Sequence, residues 1–423
     1  MMNHKKVLVI SNNCFSQTNS NGRTLGNLFV GWPKEDLAQF CVSSQNPDWS
    51  ICENYYCLGD KAMLRAFLTC KKAVGEKIEQ QAFTESFESV RGKSWKKTLY
   101  KVVARELVWA CNRWRSESLE KWVDDFNPDE IILQFGDSIF MLDIALSLSN
   151  TRKIPLVVYN TEGYYFFSRN WYHSVFGDVF LFKLYVRIYR KKVKKLMQQV
   201  KYCIYLNDKL KEDYDKAFNI PSRVIYNSSS VLKSDIPLFS KEKPTISYLG
   251  NLGLDRDTAL MEVGKVLHEI NPVYSIDVYG PANEEMKKRL TSAEGVRYRG
   301  SISYDDVKGI IASSDILLHV ETERGHRNHQ LDYAFSTKIA DSLASGRCFV
   351  VYAPSELVCS EYVKKNQCGW VAANQVELKQ ALYSIIYDRN ARTRIRDRAV
   401  EVATQNHDIV INAAAFQYIL LHL

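Results

Sequence analysis

The stretch S-T-K-I-A-D-S-L-A-S-G-R-C-F-V-V, residues 336–351, reads as a capped helix that stops at a glycine and feeds a buried strand. Ser336 or Thr337 can cap the helix through its hydroxyl. Ile339 and Leu343, four residues apart, share the face that packs inward, and Gly346 ends the helix. Cys348 onward is an apolar run of strand length. The N–H groups of the first helical turn have no partner within the helix and make a seat for an anion, to which Lys338 adds a charge. Asp341 lies three residues further on, on the same face, where a carboxylate can accept two ribose hydroxyls. The plain alternative is a helix with a cap and solvated charges.

The same alternation runs outward in both directions. Upstream, P-T-I-S-Y-L-G-N-L predicts a strand, residues 257–269 a helix, Y-S-I-D-V-Y-G-P a strand and 283–291 a helix. V-R-Y-R-G-S-I, a helix ending at Ser313, and D-I-L-L-H-V then lead into the stretch quoted above, and G-W-V-A and terminal helices follow it. The first half repeats the pattern with K-K-V-L-V-I-S, Q-F-C-V-S, P-D-E-I-I-L-Q-F-G-D, I-P-L-V-V-Y-N-T-E-G and K-Y-C-I-Y-L-N-D. Continuous apolar strands separated by helices are the mark of parallel sheets covered on both faces. The polar, serine-rich, proline-bounded stretch 227–244 reads as the joint between two such domains. The expected division is 1–235, 236–405 and a C-terminal helix 406–423 packing back toward the first domain. Ligands are expected at the carboxyl ends of the strands.

Length and composition agree. At 423 residues the chain exceeds one ordinary core and suits two domains. Its 46% hydrophobic and 25% charged residues are those of a globular protein, which excludes a disordered or fibrous chain. Only four apolar residues, Val7 to Ile10, precede Ser11, too few for a signal peptide core. The ten cysteines show no C-x-x-C spacing, so reduced thiols and a cytoplasmic location are expected.

Several residues at predicted strand ends are candidates for chemistry. Gly250, Asn251 and Gly253, in the loop Y-L-G-N-L-G-L-D-R-D, would let backbone N–H groups approach a phosphate, with Arg256 adding charge. Asp255 and Asp257 have D-x-D spacing but suit a helix N-terminus better than a metal, and no metal is expected. Gly22 and Arg23 follow the first strand, where they can meet a phosphate or an acceptor, or simply begin a helix. Asp137 and Glu162 end two strands; each either caps a turn or orients and deprotonates an acceptor hydroxyl. Glu356 is a weaker acid of the same kind. His326 and His329 have H-x-x-H spacing without a third ligand, which suits hydrogen bonding to a sugar or phosphate. Residues 91–115 and 177–201 each carry eight Lys and Arg against one acid, interleaved with Trp, Tyr, Phe and Leu. That pattern suits docking on an anionic membrane surface; a solvated helix face and nucleic acid are the alternatives, and no nucleic-acid motif supports the last.

The order G-N-L, D-V-Y-G, V-R-Y-R-G-S-I, S-D-I-L-L and S-T-K-I-A-D-S-L-A-S-G-R-C-F-V-V resembles the donor domain of GT-B glycosyltransferases, family 4-like (group 1), over residues 244–400. The resemblance implies an α/β fold of GT-B architecture, two doubly wound Rossmann-like domains with a cleft between them. It also implies transfer of a hexosyl group, with retention and without a metal or other cofactor, from a nucleotide sugar to a glycan or lipid-linked acceptor in cell-surface polysaccharide synthesis. By the same resemblance Arg256 and Lys338 hold the diphosphate and Asp341 the ribose, in an enzyme that is cytoplasmic or peripheral on the inner face of the membrane. One departure stands out: the family's first glutamate, eight positions before the second acid, is Tyr333 here, with Asp332 or Glu323 as substitutes. That departure keeps open a non-catalytic nucleotide- or glycan-binding protein, or a nucleotide-sugar epimerase, on the same fold.

Overall fold

The computed structural model describes residues 4–17, 20–43, 47–80, 98–172, 178–240, 242–323 and 331–423. The chain divides into two compact units, Met1–Ile225 with Ala413–Leu423, and Tyr226–Asn412.

The first unit is built on strands β1 (Val7–Asn13), β2 (Leu37–Ser43), β3 (Asn54–Cys57), β4 (Glu76–Ile78), β5 (Glu130–Phe135), β6 (Leu156–Asn160), β7 (Val200–Tyr205) and β8 (Ser222–Val224). They form one sheet in the order β4-β3-β2-β1-β5-β6-β7-β8. All neighbours are parallel except β3 and β4. Its helices are α1 (Ser20–Asn27), α2 (Asp60–Thr69), α3 (Leu99–Ala110), α4 (Glu117–Phe126), α5 (Ile139–Arg152), α6 (Asp178–Met197) and α7 (Asp208–Phe218). Val7, Leu8, Val9 and Ile10 of β1 are fully buried because helices cover both sheet faces. Phe416, Ile419 and Leu420, near the end of the chain, complete this core, and the Phe416 ring meets Phe29 edge-on at 5.1 Å.

The second unit carries β9 (Ile246–Leu249), β10 (Ile276–Tyr279), β11 (Val296–Gly300), β12 (Ile316–Val320), β13 (Cys348–Tyr352) and β14 (Trp370–Ala372). Their order is β11-β10-β9-β12-β13-β14, parallel throughout. The helices are α8 (Arg256–Ile270), α9 (Glu284–Ser292), α10 (Tyr304–Ser313), α11 (Thr337–Ala344), α12 (Val358–Asn366), α13 (Gln375–Tyr387), α14 (Arg389–Asn406) and, running past the unit boundary, α15 (Ile409–Leu421). This is the doubly wound arrangement, in which strand order reverses beside the first strand of each sheet, between β1 and β5 and between β9 and β12. Loops diverge at such a reversal and leave a crevice at the strand ends.

The elements expected from the sequence lie where apolar periodicity predicts them, although the helices α2, α4 and α7 are not among those expected. Three short strands, β3, β4 and β8, are not apparent in the sequence, because N-Y-Y-C, E-K-I and S-R-V are too short or too polar to show a period. The boundary also differs from the expected residue 235. The stretch after Ile225 packs into the second unit instead of linking freely, with Leu238 and Phe239 against its core. Asp315 draws that stretch in, accepting from the backbone N–H groups of Phe239 (2.6 Å) and Thr245 (2.7 Å).

Candidate functional site

Beside the reversal point of the second sheet, the loops after β9 and β10 and one helix border a common space. The loop after β9 begins at Gly250, and the loop after β10 begins at Gly280. A Cβ on Gly280 would lie 1.9 Å from the Gly250 carbonyl oxygen, so the two backbones touch through a contact only glycine allows. Asn251 turns the chain by accepting from the Gly253 N–H at 2.7 Å. Leu254 and Asp255 then both adopt left-handed backbone angles, φ 60° and 59°. Such residues cost about 1–3 kcal/mol each unless their surroundings hold them. Here Thr322, just past β12, donates to the Leu254 carbonyl at 2.7 Å.

Arg256 opens α8 and is engaged differently from the phosphate-facing cation expected of it. Its guanidinium forms a two-pronged pair with Glu321 at 2.8 and 2.9 Å, and also donates to the Gly253 carbonyl at 3.3 Å. A guanidinium only 14% exposed needs a counter-charge, and Glu321, 6% exposed, needs one equally. Burial pushes the Glu321 carboxyl upward, against the pull of Arg256 and Lys338. His319 lies 3.4 Å from Glu321. Burial first, then the charges of Arg256 and Lys338, press its pKa down to about 3, so the ring is neutral at physiological pH. Asp257 is buried and paired with Arg289 of α9, which commits it to structure.

The helix of the opening stretch is α11. Ser336 caps it, accepting from the Lys338 N–H at 3.3 Å, and Thr337 is its first residue. Ile339 and Leu343 are fully buried as their spacing requires. Lys338 and Asp341 then line one cavity of about 200 Å³ together with Gly250, Asn251, Gly280, Ser301 and Ile302. Among the described residues its wall is formed without Gly253, Arg256, Ser336 or Thr337. Asp341 also accepts a hydrogen bond from Ser229 at 2.7 Å. Tyr333, in place of the family's glutamate, is 7% exposed. Glu356 is on the surface, beside Ser355 at 3.2 Å. His326 and His329 lie outside the described residues.

The first unit holds a second constellation at the end of β5 and β6. Asp137 follows Gly136 directly after β5, and Tyr172 donates to its carboxylate at 2.9 Å. Tyr185 and Tyr189 donate to the carbonyls of Asp137 (2.6 Å) and Gly136 (2.8 Å), fixing the loop from α6. Glu162 lies two residues past β6. Burial, with the Asp137 charge adding to it, pushes its carboxyl up to about 7. Glu106 of α3 accepts from the Ile139 and Phe140 N–H groups at 3.0 and 3.1 Å, at the N-terminus of α5. Burial outweighs these bonds and raises it also to about 7. Nothing in the sequence marked Glu106, because its partners are distant in the chain, and Tyr172 stood out only within the aromatic run 164–172, which could stack on sugars or simply pack. Gly22 is buried in α1, where a Cβ would meet the Cys14 carbonyl at 2.4 Å; that contact seats α1, with Arg23 next to it, against the loop after β1.

Two doubly wound units with converging loops at the strand ends define the GT-B class of fold. Comparison with known proteins agrees. Residues 263–417 match the family model described as glycosyl transferase-like. No curated protein matches the chain in sequence. Among solved structures, HepE (Alr3699) of Anabaena in complex with UDP and glucose aligns with a TM-score of 0.62 at 13% identity, over 99% of this chain and 100% of that one. Sucrose-phosphate synthase of Thermosynechococcus elongatus aligns with a TM-score of 0.62 at 10% identity, over 99% and 98%. WaaG, a glycosyltransferase involved in lipopolysaccharide biosynthesis, gives 0.56 at 12%, over 98% and 99%. The chain therefore has the GT-B fold, and residues 263–417 are similar in sequence to a glycosyl transferase-like family.

Proposed function

We propose that this chain is a metal-independent hexosyltransferase whose second unit binds a nucleotide-sugar donor and whose first unit binds a glycan or lipid-linked acceptor. The observation that carries the reading is the pairing of Lys338 and Asp341 on one cavity wall, beside the glycine loops of β9 and β10. A cation and a carboxylate on one face of a capped helix match the two ends of a ribose diphosphate. Lys338 would neutralise the leaving diphosphate as the glycosidic bond breaks. The bond from the anomeric carbon to the phosphate oxygen breaks and one to the acceptor oxygen forms. With retention, the departing phosphate takes the acceptor proton. Glu162 and Asp137 orient the acceptor hydroxyl, and a carboxyl near pH 7 is suited to hold or release a proton there. HepE binds UDP and UDP-glucose, which makes uridine donors the first to test.

A membrane-surface acceptor is supported by α6. It exposes Phe180, Leu184 and Ile188 at four-residue intervals, while Lys183, Arg187, Lys191 and Lys194 line a groove of about 480 Å³ on the same helix. No helix among the described residues is long and apolar enough to cross a membrane. This reading places the enzyme at the cytoplasmic face, in synthesis of a cell-surface polysaccharide.

The test is release of UDP from UDP-sugars with and without candidate acceptors. Release that requires an acceptor supports transfer. Binding of UDP with no release under any acceptor supports the non-catalytic reading, which the buried Tyr333 favours.

A further inference from the structure

The second unit begins with Tyr226–Ser229, a stretch outside every named strand that is nonetheless held on several sides. The Ser229 N–H donates to the His407 carbonyl at 2.8 Å, and Ser229 pairs with Asp408 in an isolated parallel bridge. The His407 ring meets the Asn227 carbonyl at 2.7 Å through Nδ1. The same ring stacks on Phe335 with the planes 10° apart. Asn227 in turn donates through Nδ2 to the Phe335 carbonyl at 2.8 Å, immediately before the α11 cap Ser336.

Ser229 itself is 8% exposed. Its hydroxyl oxygen accepts from the Val231 N–H at 3.0 Å and lies 2.7 Å from Asp341 Oδ1. An ionised carboxylate only accepts, so the hydroxyl proton points to Asp341. One short segment thus grips α11 twice, at the backbone before its cap and at the carboxylate on the cavity wall.

We propose that Ser229 is a positioning residue for ribose recognition, fixing the Asp341 carboxylate in the orientation that receives the ribose hydroxyls. The inference rests on the donor-site reading given above. A carboxylate offers about four acceptor positions; Ser229 occupies one, and a ribose diol uses two. An aspartate free to rotate would have to be immobilised each time a nucleotide binds, and a rotamer already locked by a buried hydrogen bond avoids that loss. The segment that carries the lock is polar and serine-rich, which is why it resembles a linker in sequence.

The experiment measures binding of UDP and of 2′,3′-dideoxy-UDP by calorimetry to the full chain and to Ser229→Ala, Ser229→Thr and Asp341→Asn. Ser229→Ala is expected to weaken UDP about tenfold, the loss of one hydrogen bond to a charged group. It should leave the dideoxy analogue, which has no diol to read, within about twofold of wild type, and Ser229→Thr should restore UDP binding. Comparing two ligands on one preparation cancels any loss of folded protein. Equal weakening of both ligands by Ser229→Ala, or no weakening of UDP, overturns the role of Ser229. If Asp341→Asn leaves UDP binding unchanged, the donor-site reading fails as well.

Discussion

Replacing Glu162 with glutamine should stabilise the first unit at alkaline pH and leave it unchanged in acid. Its carboxyl is pushed from an ordinary 4.5 up to about 7, by burial first and then by the charge of Asp137. Between those two values the folded chain holds a proton that the unfolded chain has released. Stability therefore falls as pH rises through that window, and the full cost is present above about pH 7. A displacement of about 2.5 units at 1.36 kcal/mol each amounts to about 3 kcal/mol. Glutamine keeps the shape and carries no charge, so the difference between variant and wild type should grow from near zero at pH 4 to about 3 kcal/mol at pH 8. Glu106 titrates in the same range but is common to both proteins, and the difference curve removes it. Urea unfolding followed by tryptophan fluorescence reads the right unit, since of eight tryptophans only Trp370 lies in the second. A constant offset between the two proteins from pH 4 to pH 8 would refute the reasoning, because it would mean that Glu162 is not a displaced carboxyl.

Lys338→Ala should weaken UDP binding by about tenfold or more, corresponding to roughly 1.5–3 kcal/mol for a charge-assisted contact, as read by calorimetry. Transferase activity should survive EDTA; a loss that Mg²⁺ restores would show that an ion, and not Lys338, answers the diphosphate charge. Wild-type protein should co-sediment with anionic vesicles at low salt and be released as salt rises. Lys183, Lys191, Lys194 and Lys195 changed together to Gln should weaken that binding without changing UDP affinity. Lys192 is left out of the set because it is paired with Asp143 at 2.7 Å.

Much of the second unit was legible because its elements are local. Strand, glycine turn, helix and cap follow one another within the span of a few residues, as in residues 336–351, and each leaves its own periodicity. Lys338 and Asp341 could be placed together because one helix carries both. What could not be read depends on contacts between residues far apart in the chain. Arg256 and Glu321 are 65 positions apart, and the sequence alone shows Arg256 as an unclaimed cation. Ser229 and Asp341 are 112 apart, and Tyr172 and Asp137 are 35 apart. No spacing rule announces such pairs; burial creates the need for each partner, and burial is a property of the fold. The linker reading failed for the same reason, since a polar segment that is hydrogen-bonded along its length has the composition of one that is not.

The contact between Gly280 and the Gly250 carbonyl bears on how such a chain can diversify. Any side chain at position 280 would collide with backbone, which cannot rotate away as a side chain does, so that point of the cavity wall is closed to gradual change. Ser301 and Ile302, which line the same cavity after β11, carry side chains that can be exchanged one at a time. Variants of this scaffold with a reshaped cavity are therefore expected to carry their changes after β11, with the glycine pair intact.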